Sequence, residues 1–148
     1  MKRVLFLMTV IAMAVASASA AEKLLMFEQL PQEVQTFTRK YFSADNPLYR
    51  HAYVTYDAEL FDSSYMVVFT NGDGLEFNKD GQWKDFDCKQ CVVPNEVIPA
   101  PILDYLSASF PGVAVKKIEK NRLSYEIGLE NGLELEFDLD GNLVEVDD

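Results

Sequence analysis

The chain has 148 residues, 49% hydrophobic, 12% aromatic and 25% charged, with 24 acidic against 13 basic residues and a formal net charge of −11. That length supports one small core rather than two. The aromatic content and the lack of Pro, Gly and Ser tracts exclude a disordered or fibrous chain, and the acidity excludes nucleic-acid binding through phosphates.

At the amino terminus Lys2 and Arg3 precede an apolar run from Val4 to Val15 that closes on Ala16-Ser17-Ala18-Ser19-Ala20. This is the pattern of a secretory signal peptide over residues 1–20, with the small residues that a cleavage site needs. A membrane anchor needs roughly 20 consecutive apolar residues, and here Ala and Ser dilute the run before Glu22 and Lys23. No Cys stands at the cleavage region to carry a lipid. Removing Lys2 and Arg3 with the leader leaves 128 residues at −13. The expected mature protein, residues 21–148, is a single soluble domain in the periplasm or outside the cell, with no membrane attachment after signal removal.

Leu30, Val34, Phe37 and Tyr41 fall at helical spacing with Pro31 suited to a first turn, which predicts an amphipathic helix from about Pro31 to Phe42. The period then drops to two, predicting strands at Tyr49–Tyr56, Tyr65–Thr70, Leu75–Asn78 and Trp83–Asp87. Ile102, Tyr105, Leu106 and Ser109 predict a second helix from about Pro101, stopped by Pro111-Gly112. Strands follow at Val113–Glu119, Leu123–Leu129, Leu133–Asp138 and Leu143–Val146. The segment from Asn71 to Asp87 lies over Asn131 to Asp147 at a constant offset of 60 residues, and Leu30–Val34 lies over Val93–Val97 at 63. Two tandem copies, about 27–88 and about 93–148, are the economical explanation. Asn71-Gly72, Asp80-Gly81, Asn131-Gly132 and Asp140-Gly141 mark tight reversals. The expected fold is α+β: two helix-plus-four-strand repeats forming one antiparallel sheet, with the helices packed on one face.

A two-residue turn at Asp140-Gly141 would pair Phe137 with Val144 and Leu135 with Val146 on the helix side. It would turn Glu134, Glu136, Asp138, Leu143, Glu145 and Asp147 outward. In the first copy it pairs Leu75 with Phe86 and leaves Trp83 outside, opposite Asn78. A three-residue turn with a bulge would instead pair Phe77 with Trp83 and bury the indole, at the cost of setting Leu75 against Asp85. The repeat favours the first register. Trp83 and Leu143, with Tyr49 and Tyr53 from the strand that also carries His51, and with Glu136 and Asp138, are then candidate partner-binding residues on an acidic face. The competing reading has Trp83 completing the core or capped by a long loop from Asp57 to Ser64.

Cys88-Lys89-Gln90-Cys91 has the spacing of a redox or metal half-site, but it follows a hairpin strand and runs into Val92-Val93-Pro94 instead of opening a helix. A small disulfide ring stiffening the link between copies is favoured in an oxidising compartment, with free thiols and a redox pair as alternatives. Zinc would need two more soft ligands, and His51 is the only histidine. Asn78-x-Asp80-Gly81 and Asp138-x-Asp140-Gly141 lack the glycine and glutamate positions of a calcium loop and read as hairpin turns. The alternating carboxylates Glu134, Glu136, Asp138 and Glu145 read as a solvated face rather than a catalytic pair. His51 has no nucleophile placed near it by sequence.

With Leu-Pro-x-Glu-Val at Leu30, Val-Pro-x-Glu-Val at Val93, Phe-Pro at Phe110 and Leu-Glu-Phe-x-x-Asp-Gly around both Phe77 and Phe137, the chain resembles the beta-lactamase-inhibitor-like, PepSY-like family of secreted bacterial proteins. The resemblance covers most of the mature chain. It implies two similar alpha-beta units in one antiparallel sheet, no cofactor and no catalytic set. The family name evokes inhibitors that dock a concave sheet on an enzyme, and related PepSY domains are thought to restrain peptidases. The pair Cys88 and Cys91 is not something the family pattern requires. The combined expectation is a non-enzymatic module that binds a protein or peptide, a peptidase among the candidates, without cofactor, metal or nucleic acid. The alternatives are a thiol redox protein using Cys88 and Cys91, and a small-ligand or cation binder.

Overall fold

The computed structural model describes residues 23–42, 52–59 and 62–148. The leader expected over residues 1–20 lies outside them, as do Tyr49 and His51. The elements in chain order are β1 (Lys23–Leu25), a single 3-10 turn (Phe27–Gln29), α1 (Gln32–Tyr41), β2 (Ala52–Glu59), β3 (Asp62–Phe69), β4 (Gly74–Asn78) and β5 (Trp83–Asp87). A second 3-10 turn (Asn95–Val97) leads into α2 (Ala100–Ser109), β6 (Val115–Lys120), β7 (Ser124–Leu129), β8 (Glu134–Asp138) and β9 (Leu143–Asp147). Among the described residues the nine strands form one antiparallel meander in sequence order. The fold class is α+β, as expected. β1 is additional to the predicted elements, and of the expected loop from Asp57 to Ser64 the described residues 57–59 and 62–64 are strand, with Asp57 opposite Ser64 and Ala58 opposite Ser63.

Both helices lie on one side of the sheet. Val34 and Ile102 are fully buried, one from each helix, over a cross-strand row of Val67, Leu75, Phe86, Ile118, Ile127 and Leu135. Phe37 meets Phe77 edge-on at 5.4 Å between ring centroids, and Tyr105 meets Phe137 in the same way at 5.4 Å. Burying rings of this size is the main favourable contribution to holding helix on sheet, at about 25 cal/mol per Å² of apolar surface. Pro101 stands in the first turn of α2, where no intrahelical donor is lost.

The four Asn-Gly and Asp-Gly reversals share one geometry. Gly72, Gly81, Gly132 and Gly141 have φ between 79° and 93°. In the hairpin of β8 and β9, the Gly141 amide donates to Asp138 O and the Asp138 amide to Asn142 O. These are three-residue loops closed by a left-handed glycine, not two-residue turns. Each of the two Leu-Glu-Phe hairpins adds a bulge one step further on, so that Phe77 pairs with Trp83, Glu76 with Asp85 and Leu75 with Phe86. Phe137 likewise pairs with Leu143, Glu136 with Glu145 and Leu135 with Val146. The expected registers are corrected accordingly. The loop moves Trp83 and Leu143 to the helix side, and the bulge at Lys84 or Val144 restores the pairing of Leu75 with Phe86 and of Leu135 with Val146. The rival register was right about Phe77 and Trp83 but wrong to set Leu75 against Asp85.

Candidate functional site

The sheet face away from the helices carries a line of carboxylates in direct register. Glu76, Asp85, Glu119, Glu126, Glu136 and Glu145 come from six successive strands, β4 to β9, each opposite the next. The neighbouring line runs Asp87, Lys117, Gly128, Glu134, Asp147. Like charges directly opposite one another on a sheet oppose folding, each pair by a few tenths to about 1 kcal/mol, so packing requirements do not account for this line. The strand alternation that puts apolar residues under the helices sends these acids to the other side.

Two lysines temper the charge over its first three carboxylates. Lys117 Nζ lies 3.3 Å from Glu119 and 4.0 Å from Asp85, and Lys84 Nζ lies 3.4 Å from Glu76. Gly128 leaves room for the Lys117 stem, since a Cβ there would stand 3.2 Å from Lys117 Cβ. Asp85 is only 4% exposed, and its Oδ1 has no hydrogen-bond partner among the described residues. Burial pushes its carboxyl up to about 7 against the pull of Lys117, with Glu119, Asp87 and Glu76 adding to the rise. Glu126 is also raised, first by burial and then by Glu119. Lys117 is raised because Asp85 and Glu119 together outweigh its own desolvation.

Of the residues singled out by sequence, Glu136 lies in this line. Asp138 lies two residues further along β8, opposite Ser124, and its carboxylate accepts from the amides of Asp140 (3.0 Å) and Asn142 (2.8 Å) and from Asn142 Nδ2 (2.9 Å). The Asn142 side chain first, and then its amide, hold Asp138 below the usual carboxylate value. Its visible role is to tie the hairpin. Trp83 is half-buried against the core and Leu143 sits opposite Phe137, so neither shares the acidic face. Tyr53 falls within β2 opposite Val68. Sequence reasoning did not single out Glu76, Asp85, Glu119 or Glu126. The alternation of β6 and β7 could have exposed the last two, and the expected pairing of Leu75 with Phe86 already sets Asp85 opposite Glu76; only the burial of Asp85 had no signal in the sequence.

Cys88 and Cys91 are joined by a disulfide. The ring turns the amides of Lys89 and Gln90 onto Oδ1 of the fully buried Asp73, at 2.7 and 2.8 Å, while Asn71 Nδ2 donates to Oδ2 at 2.9 Å. Lys116 Nζ donates to Cys91 O. Asp73 is the position where the second Asn-Gly hairpin carries Leu133, so the carboxylate and the Cys pair are features of one half of the chain. Among the described residues no group of three or more His, Cys, Asp or Glu side chains is arranged to hold a metal ion.

No functionally curated protein matches the chain. Solved structures do. A "putative periplasmic protein" of the DUF2874 family from Bacteroides vulgatus is 38% identical, covering 86% of this chain and 97% of that one with a TM-score of 0.78. A "putative calcium-regulated periplasmic protein" from Bacteroides thetaiotaomicron is 36% identical over 86% and 97% of the two chains, with a TM-score of 0.76. A further "putative periplasmic protein of unknown function" from Bacteroides vulgatus is 34% identical over 86% and 100%, also at 0.76. The periplasm is the compartment of this fold in these relatives and of this chain. The family model described as "Putative beta-lactamase-inhibitor-like, PepSY-like" matches residues 63–145, and the chain belongs to that family.

Proposed function

We propose that this protein is a non-enzymatic periplasmic binding module, built from a duplicated helix-plus-four-strand unit and exported by cleavage of residues 1–20. It takes a basic protein or peptide on the sheet face opposite the helices. The observation that carries this reading is the register-aligned line of Glu76, Asp85, Glu119, Glu126, Glu136 and Glu145, which ion pairs from Lys84 and Lys117 offset in part. Such a field steers cationic partners and repels anionic ones. An inhibitor-like role, with a peptidase as partner, is the form this binding takes if the partner is an enzyme. Capture of partners from periplasmic extract, repeated with Glu119→Lys, Glu126→Lys and Glu136→Lys combined, tests it. The expected outcome is a partner retained by the parent chain and lost by the charge-reversed one at unchanged melting temperature. Identical partner sets would overturn the face.

A second reading, cation binding on the same face, is favoured by the acidity and by the words "calcium-regulated" attached to one similar structure. A ligand selective for the native state raises its melting temperature. Calcium chloride at millimolar concentration should raise it if this reading holds, and an unchanged transition removes it.

A further inference from the structure

Among the described residues β9 is the last strand of the sheet, with no strand along its outer edge, and all five of its residues are exposed. Val144 is 61% exposed, Val146 46% and Leu143 37%. An unpaired strand edge presents a row of free amide and carbonyl groups and is a template for another strand. Edges are commonly blunted by bulges and charges, and β9 has a bulge and two acids. The same chain contains an internal control. β5 occupies the equivalent place sixty residues earlier, with the same bulge and with Asp85 and Asp87 where β9 has Glu145 and Asp147. Those features do not keep β5 unpaired, because β6 lies along its outer edge.

What β6 supplies defines what β9 lacks. Across the β5 and β6 pair, Ile118 stands opposite Phe86 and Lys117 opposite Asp87, and Phe86 is only 1% exposed as a result of this cover and of α1 above it. The corresponding positions in β9 are Val146 and Asp147. We propose that the outer edge of β9 is a strand-addition site for an extended segment of a partner protein. That segment runs antiparallel to β9, with a branched apolar residue opposite Val146 and a lysine or arginine opposite Asp147. Main-chain hydrogen bonds supply affinity, and alternate side chains supply selectivity. A second copy pairing through its own β9 is disfavoured, since antiparallel self-pairing centred on Glu145 places Asp147 against Leu143 and supplies no cation to play the part that Lys117 plays opposite Asp87. This site is the backbone edge of β9; it shares Asp147 with the acidic face, and charge reversal at Glu126 and Glu136, away from the edge, separates the two readings.

The test uses the folded mature chain and, as probe, a capped synthetic peptide of residues 113–121, which carries the β6 strand. Saturable binding with Kd on the order of 10–500 µM is expected, with slowed hydrogen exchange at the β9 amides. A peptide of the same composition in scrambled order should bind at least about fivefold more weakly, and so should the native peptide to Asp147→Lys, an exposed change that leaves the fold intact. Charge reversal at Glu126 and Glu136 should leave the β9 protection in place. Absence of binding, equal binding of the scrambled peptide, or binding indifferent to Asp147 and without β9 protection would overturn the proposal. So would a dimer whose β9 amides are already protected without peptide, which would make a second copy the occupant.

Discussion

Two buried polar side chains show how single residues bear on stability here. Thr38 Oγ1 in α1 is buried with no hydrogen-bond partner among the described residues, so Thr38→Val keeps the shape and removes an unsatisfied hydroxyl. The expected outcome is a gain of about 1 kcal/mol, read as a rise of a few degrees in melting temperature. Asp85 also costs stability, in a pH-dependent way. Its native pKa of about 7 stands above the ordinary 3.8, mainly through burial. Between those values the native state holds a proton that the unfolded chain releases, so stability falls as pH rises through this window, and the full penalty is present above about 7. Asp85→Asn should therefore raise the melting temperature at pH 8 and change it little near pH 4, in thermal scans across that range. Equal shifts at both pH values would show that the carboxylate is not the cause. Neither residue was legible in advance. The acid is polar in a strand that alternates acid and apolar, and only the three-dimensional cover around it makes it buried.

The hairpins carry most of the element-scale lesson. Asn-Gly and Asp-Gly announced the reversals between β3 and β4, β4 and β5, β7 and β8, and β8 and β9, and most strands followed from period-two alternation. The length of the loop did not follow, since a left-handed glycine closes two-residue and three-residue loops alike. One residue of loop moved Trp83 and Leu143 across the sheet, and a bulge brought Phe86 and Val146 back. The loop tips also seat the helices. A Cβ on Gly141 (φ 87°) would stand 2.6 Å from Pro101 Cβ at the start of α2, whereas one on Gly132 (φ 91°) would meet nothing within 4 Å. Gly132→Ala should cost about 1–2 kcal/mol from backbone strain alone. Gly141→Ala should cost clearly more, because helix and hairpin must also separate. Urea denaturation of the two variants side by side gives the comparison, and equal losses would mean that the α2 contact does not limit the loop. At the link between the halves, the ring closed by Cys88 and Cys91 spans few residues, so chain-entropy stabilisation is limited to about 2 kcal/mol. Replacing both by Ser should lower stability by that amount or somewhat more, as the amides over Asp73 lose their fixed arrangement.

On the scale of the whole molecule, nine strands in sequence order make a sheet with two ends, one face under helices and one lined with acids. The meander was foreseeable because short Gly-containing reversals join neighbours antiparallel, and the two helices fell on one side because each has only one apolar stripe to hide. β1 was not foreseeable: three residues, Lys23–Leu25, carry no periodicity and become a strand only because β2 offers its edge. The family resemblance and the compartment were readable from ordered motifs along the chain. The candidate site was half readable. Alternation alone sent Glu136 and its neighbours outward, since side chains in a strand change face at every residue whatever their partners. The alignment of six carboxylates across six strands was not readable, because register depends on loop length and bulges that several sequences tolerate. The sequence by itself determined both helices, the strands other than β1 and the ends of β2 and β3, the sign of the surface and the positions of the four glycine turns, all of which are local properties of backbone and side chain. Only the tertiary structure decided which strand positions face each other, that Asp85 is buried and Trp83 turned to the core, and that among the described residues no strand lies along the outer edge of β9, because these depend on which distant segment arrives alongside.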